Sequence, residues 1–395
     1  MVPETKTMQS DNTIIEDAPL LVEKQFFTFA DGADKMVLES GALLGPVTVA
    51  YEILGTLSPK RDNAILIAHA FSGDSHVAGY YPEDMQREKP GWWDSVVGPG
   101  KGIDTDKYFV ICSNILGSCM GTTGPASLNP ETGCPYGLNF PMVTIGDMVE
   151  AQKLLIDHLG IEQLHCVIGG SVGGMQVLEW CVRYPEMVRS AVPLATTMRH
   201  SAMAIAFNEV ARQAILADPN WQRGNYYNGT PPHMGLAVAR MVGHITYLSD
   251  EAMRRKFGRR LQDKNDFSYE IDVDFEVENY LRYQGSKFVQ RFDANSLLYI
   301  TKAADYYDFT NKSVKGKAVR DFSMSKARFL VISYSSDWLY PTYQSKELVQ
   351  ALKRAGRDVS FCEIEADAGH DAFLIPDKRL QNILKGFLDG IGRRL

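Results

Sequence analysis

The 395-residue sequence predicts an α/β fold in which a mostly parallel sheet is flanked by helices and carries one inserted helical lid. Three observations predict it. Short continuous apolar runs recur along the chain, as expected of strands covered on both faces. Helix-like stretches lie between these runs. The alternation stops between about residues 198 and 310 and then resumes.

Taken in order, Phe26-Phe27-Thr28-Phe29 and Val47-Thr48-Val49-Ala50-Tyr51 are short and β-prone, with a glycine-containing stretch between them. Ala64-Ile65-Leu66-Ile67-Ala68 and Phe109-Val110-Ile111-Cys112 read as buried strands. Thr144 is placed to cap a helix running to about Leu159, because Met148, Ala151, Leu154, Leu155 and Leu159 fall on one helical face. A strand over 165–170, a helix over 172–184 closed by Pro185, and a strand from Ala191 follow. This order implies right-handed crossovers and a parallel sheet. Residues 198–310 are helical in character and rich in Arg, Met and Tyr, broken by the turn Asn228-Gly229-Thr230-Pro231-Pro232. Strands return at Phe329-Leu330-Val331-Ile332-Ser333 and at 359–364, and residues 380–395 read as an amphipathic terminal helix. The expected division is a disordered leader over 1–20, a core from 21–197 and 311–395, and a helical lid over 198–310. A lid inserted there overhangs the carboxyl ends of the strands, where open α/β sheets carry their sites.

Composition narrows the function classes. Apolar residues make up 45% and charged residues 23%, as in ordinary globular chains. The net charge of −7 gives no bulk attraction for nucleic acid or an anionic membrane, and neither is expected as a partner. Six cysteines lie scattered with no C-x-x-C pair, so no zinc site, no other metal and no redox pair is expected. The first 19 residues lack the apolar centre of a signal peptide, and no run approaches a membrane span. A reducing cytoplasm is the expected compartment.

The chemistry centres on Gly169-Gly170-Ser171-Val172-Gly173, a G-x-S-x-G motif between a predicted strand and a predicted helix. A serine there can sit on a tight turn that lifts its hydroxyl clear of the backbone. Ser171 then needs a base, because a serine hydroxyl is hardly ionised near neutral pH. Asp337 follows the strand at 329–333, and His370 follows the strand at 359–364. The order Ser171, Asp337, His370, each at or beyond a strand's carboxyl end, is that of the α/β-hydrolase fold. Asp367 and Asp371 compete for the acid role, but Asp367 lies on the same loop as the base and reads as a loop-shaping residue. Among eight histidines, His158 and His165 read as structural, while His69 and His76 flank a loop near the site. That loop, His69-Ala70-Phe71-Ser72-Gly73-Asp74, follows an early strand. The backbone N–H groups of Phe71 and Val172 are therefore the expected oxyanion-hole donors.

Several further stretches, together with these, resemble the homoserine O-acyltransferases of methionine biosynthesis. They are Gly91-Trp92-Trp93-Asp94, Gly121-Thr122-Thr123-Gly124-Pro125, Ala239-Arg240-Met241-Val242-Gly243-His244-Ile245-Thr246-Tyr247, Arg291-Phe292-Asp293-Ala294-Asn295 and Gly369-His370-Asp371-Ala372-Phe373-Leu374. The resemblance covers most of residues 45–375, the lid included. It implies an α/β-hydrolase fold, an acyl-enzyme on Ser171, and acetyl-CoA and L-homoserine as small-molecule substrates, with no bound cofactor. Arg240 and Asp371 are implied to hold homoserine, and an Arg suits its carboxylate as an Asp suits its ammonium. Tyr247 and Arg212 are weaker candidates for the same pocket. Family members that use succinyl-CoA carry an arginine two residues after the triad aspartate. Here that position is Leu339, which favours an acetyl group, and Thr122-Thr123 is read the same way. Phe71, where leucine is usual, and Tyr340 depart conservatively from the family pattern. The resemblance also implies a homodimer joined through lid helices. Succinyl transfer, serine acylation and simple ester hydrolysis are the alternatives.

Overall fold

The computed structural model describes residues 19–82, 90–310 and 321–391. Its centre is an eight-stranded sheet. In chain order the strands are β1 (Gln25–Phe29), β2 (Val47–Leu54), β3 (Ala64–Ala68), β4 (Phe109–Ser113), β5 (Cys166–Gly170), β6 (Ser190–Leu194), β7 (Arg328–Tyr334) and β8 (Val359–Ile364). Their spatial order is β1-β2-β4-β3-β5-β6-β7-β8. β2 runs antiparallel to β1 and β4, and every pairing from β4 to β8 is parallel.

The central strands are apolar throughout because both faces are covered. Leu66 and Ile111 enter one apolar cluster, while Ile65, Ile67 and Val110 enter the other, following the two-residue period of a strand. Helices α1 (Ile145–His158) and α2 (Val172–Arg183) belong to the first of these layers. Thr144 starts α1 through a capping box: its hydroxyl accepts from Asp147 N at 3.2 Å, and Asp147 Oδ2 accepts from Thr144 N at 2.8 Å. In α2, Met175, Val177, Leu178 and Trp180 are fully buried. Each such side chain contributes about 1.5–3 kcal/mol relative to exposure.

After β6 the chain leaves the sheet for five helices: α3 (Ala202–Leu216), α4 (His233–Tyr247), α5 (Asp250–Lys256), α6 (Glu276–Phe288) and α7 (Ala294–Asp305). Ser201, Ser249 and Asp293 cap α3, α5 and α7 with side-chain oxygens, which satisfies donors that the first helical turn leaves free. The chain returns to the sheet at β7, followed by α8 (Thr342–Arg354), β8 and α9 (Lys378–Ile391). Most of the expected leader lies outside the described residues, as do residues 311–320 at the expected return to the core and the last four residues of the expected terminal helix. Leu20, assigned to the leader, is instead tied to the core: its carbonyl accepts from Tyr80 N at 2.8 Å.

Candidate active site

Ser171 occupies the bend between β5 and α2 with φ 57° and ψ −123°, a backbone conformation that L-residues rarely adopt. Two bonds to the β6 side hold it there. Ser171 N donates to Leu194 O at 3.0 Å, and Thr196 Oγ1 donates to Ser171 O at 2.7 Å. The flanking glycines permit the close approach: a Cβ on Gly173 would stand 2.1 Å from Ala68 O, and one on Gly169 would stand 2.6 Å from Gly173 C. The serine therefore sits where the ends of β3, β5 and β6 converge.

His370 lies in the short helical turn Gly369–Leu374 beyond β8, with Nε2 at 2.9 Å from Ser171 Oγ. Its Nδ1 is 2.7 Å from Asp337 Oδ2, and the other Asp337 oxygen accepts from the backbone N–H groups of Leu339 and Tyr340 at 3.0 and 2.9 Å. All three triad side chains are buried. Burial disfavours the His370 imidazolium, but the Asp337 carboxylate, and then Asp371, outweigh it and raise the His370 pKa above its ordinary value. Asp367 points elsewhere, pairing with Arg255.

Phe71 and Val172 line the same pocket as Ser171 and His370. Val172 opens α2, so its N–H has no acceptor within the helix. The Phe71 loop is held from beneath. His69 Nε2 accepts from Ile115 N at 3.0 Å, which puts the ring proton on Nδ1, 2.8 Å from Ala70 O. Burial lowers the His69 pKa, in keeping with this neutral form. The buried Glu52 carboxylate bonds Ser75, His76 and Tyr81 further along the loop.

The pocket above Ser171, about 930 Å³ out to its open mouth, is roofed by lid residues. Arg240 and Tyr247 on α4 and Asp371 beside the base all line it. The Arg240 guanidinium stacks 4.8 Å from the Phe288 ring and 5.7 Å from the Tyr247 ring, and forms no salt bridge among the described residues. Burial raises the Asp371 pKa, against the opposing pull of His370 and Arg240. The site thus offers a cation and a carboxylate on the wall of one pocket, beside a nucleophile and its base. Leu339 lines the pocket too, through an apolar side chain.

Two sequence readings need correction. Thr122 and Thr123 do not line this pocket. Their hydroxyls accept from Ala50 N and Thr48 N at 3.0 and 2.8 Å and fasten their loop to β2, so neither hydroxyl is offered to an acyl group in the pocket. Arg212 is spent on Asp305 and Glu209 rather than offered to a ligand. Conversely, sequence reasoning gave no role to Arg291, which donates to the Ser72 carbonyl at 3.1 Å, or to His200, which lines the pocket. Arg291 carried a signal, an arginine inside one of the family-like stretches, but nothing local to His200 distinguished it.

The profile of the alpha/beta hydrolase fold matches residues 63–377. A homoserine O-acetyltransferase of Desulfotalea psychrophila is 69% identical over 94% of this chain and 95% of its own length. Another, from Solidesulfovibrio magneticus, is 64% identical over 93% of this chain and 92% of its own. Among solved structures, homoserine O-acetyltransferase from Bacillus anthracis superposes with a TM-score of 0.85 at 31% identity, covering 94% of this chain and 98% of that one. Esterase E22 superposes at 0.83 with 32% identity, covering 93% and 100%. Both likenesses reach through the lid as well as the core, and the chain belongs to the homoserine O-acetyltransferase family of alpha/beta hydrolases.

Proposed function

We propose that this chain transfers an acetyl group from acetyl-CoA to the side-chain hydroxyl of L-homoserine, through an ester on Ser171. The observation that carries this reading is the placement of Arg240 and Asp371 in the pocket of Ser171 and His370. An esterase needs only water at that point, whereas an amino-acid acceptor needs a cation for its carboxylate and an anion for its ammonium.

In the first half-reaction His370 Nε2 takes the Ser171 proton, and Oγ attacks the thioester carbonyl. The N–H groups of Phe71 and Val172 hold the oxyanion; one such donor is worth about 10²–10³ in kcat. CoA leaves with the proton from His370. Homoserine then enters, its hydroxyl gives its proton to His370 as it attacks the ester, and Oγ recovers that proton when the C–O bond breaks. Asp337 fixes the tautomer and stabilises the imidazolium in both halves.

An acetyl group fits the apolar wall at Leu339. A succinyl carboxylate would need a cation, and Arg212 already binds Asp305 and Glu209. A cytoplasmic location is part of the proposal, because six cysteines without a disulfide suit a reducing compartment; among the described residues no helix is long and apolar enough to cross a membrane. A homodimer through the lid is also proposed, because Met203, Val210, Met234 and Val238 on α3 and α4 are exposed apolar residues.

The test is CoA release from acetyl-CoA. Steady turnover requires homoserine, and Ser171→Ala abolishes it. Equal turnover without homoserine overturns transfer in favour of ester hydrolysis, the reading that the likeness to esterase E22 supports.

A further inference from the structure

The lid arginine and one serine of the core share a bond that has a single possible polarity. Arg240 Nη1 donates to Ser72 Oγ at 3.2 Å. A guanidinium carries donors and no acceptor, so the serine oxygen gives a lone pair and keeps its proton. Among the described residues that proton meets no acceptor. Ser72 lines the pocket together with Ser171, Arg240, His370 and Asp371. Its loop is held from two sides: Arg291 Nη1 donates to Ser72 O at 3.1 Å, and Gly73 N closes the turn onto Ala70 O at 2.9 Å. The carboxylate of the same loop is engaged elsewhere, since Asp74 Oδ1 accepts from His76 N at 2.9 Å. The pocket therefore presents a hydroxyl proton beside a guanidinium, and among the described residues no carboxylate is bonded to either.

Two such donors on one wall suit an acceptor with two oxygens and a negative charge, which is a carboxylate. An ammonium would be repelled by Arg240, and a neutral hydroxyl would leave the guanidinium without a counter-charge. The bond already present strengthens the match, because accepting from a cation polarises the Ser72 O–H and makes it a better donor.

We propose that Ser72 is a specificity-determining residue whose Oγ–H donates to one oxygen of the acceptor's carboxylate while Arg240 holds the other. The proposal rests on the amino-acid acceptor described above. Ser72 keeps its proton throughout and takes no part in acyl transfer, which stays on Ser171. What it adds is discrimination. An amino alcohol of the same length but without the carboxylate leaves both donors unmet, so the acetyl group passes by preference to an amino acid.

The experiment compares two acceptors, L-homoserine and 3-aminopropan-1-ol, which is homoserine without its carboxylate. Ser72→Ala is expected to lower kcat/KM for homoserine about tenfold, chiefly through KM, as for loss of one hydrogen bond to a charged group. It leaves kcat/KM for 3-aminopropan-1-ol unchanged, along with the single-turnover acetylation of the enzyme by acetyl-CoA. Ser72→Thr, which keeps the hydroxyl, recovers most of the loss. A fall of equal size for the two acceptors overturns the proposal, because a defect of the loop or of the oxyanion site would act on both. The Arg240→Met background separates direct contact from support of the arginine. There Ser72→Ala is expected to lower kcat/KM for homoserine further; no further loss would mean that Ser72 acts only by holding Arg240, and the direct contact fails. Thermal unfolding is followed for each variant, and should Ser72→Ala unfold, Ser72→Cys, a weak donor of similar size, takes its place. If native enzyme shows no preference for homoserine over 3-aminopropan-1-ol, the amino-acid acceptor reading itself fails.

Discussion

Arg240 reaches down from the lid and donates through Nη1 to the hydroxyl of Ser72 at 3.2 Å. Ser72 adjoins Phe71, one of the two residues whose N–H groups are assigned to the oxyanion. Arg291 takes the carbonyl of the same serine. Lid and oxyanion loop are therefore joined through the residue proposed to bind the acceptor's carboxylate.

Arg240→Lys keeps the charge and loses the planar fork. A lysine can reach either Ser72 or a carboxylate, but it cannot present two parallel donors. The expected outcome is a fall in kcat/KM for homoserine on the order of a hundredfold, while acetylation of the enzyme by acetyl-CoA alone persists. Steady-state kinetics with homoserine varied, beside single-turnover acetylation, check both parts. Equal losses in the two would place Arg240 in the oxyanion machinery and not in the acceptor site.

The pH profile follows from His370, which must be neutral to accept the Ser171 proton. Burial pulls its pKa down, but Asp337 and then Asp371 hold it above the ordinary 6.5. The acid limb of kcat/KM for acetyl-CoA is therefore expected above pH 6.5, with activity gained as pH rises through the limb. Stability moves the other way. A raised folded-state pKa contributes stability that is fully present below the unfolded value and is lost as pH rises through the folded one. Asp337→Asn should shift the limb downward and cost about 10⁴ in kcat. An acid limb unchanged in that variant would assign it to another group.

Leu339→Arg tests the acyl specificity. Leu339 N is fixed by Asp337, so a longer side chain there extends from a rigid point on the pocket wall. With an arginine in place, succinyl-CoA should become a substrate and the ratio of kcat/KM for acetyl-CoA to that for succinyl-CoA should fall by at least about tenfold, which corresponds to one charge-assisted contact. An unchanged ratio would mean that the acyl group does not meet this wall.

How far the sequence reaches depends on how local the physics is. Ser171 is legible because one short turn needs its glycines at fixed offsets. Asp337 and His370 are legible because each follows an apolar run that forms a parallel strand, and parallel strands bring their carboxyl ends together. Thr122 and Thr123 were misread because nothing in a loop sequence shows which way a hydroxyl points; they turn to β2. His200, Asp305 and Tyr340 come from a loop after β6, the end of α7 and a loop after β7. No periodicity relates residues 105 and 140 positions apart, and only the packed lid brings them together.

The elbow itself gives the last prediction. A methyl group on Gly173 would lie 2.1 Å from Ala68 O and 3.0 Å from His69 O, both backbone atoms at the root of the oxyanion loop. Neither can rotate away as a side chain would, so α2 or the loop must shift. Overpacking of this kind costs about 1–3 kcal/mol, and in a chain of this size Tm should fall by a few degrees. Activity should fall much further, because the shift separates Ser171 Oγ from the Phe71 N–H; a loss beyond about a hundredfold in kcat is expected. Gly386 is the control. It lies in α9 with nothing within 4 Å of an added Cβ. Gly386→Ala should raise stability by up to about 1 kcal/mol through helix propensity and leave kcat unchanged. Differential scanning calorimetry and steady-state kinetics on the two variants decide the matter, and a Gly173→Ala enzyme with native kcat would show that the elbow does not need the contact with β3.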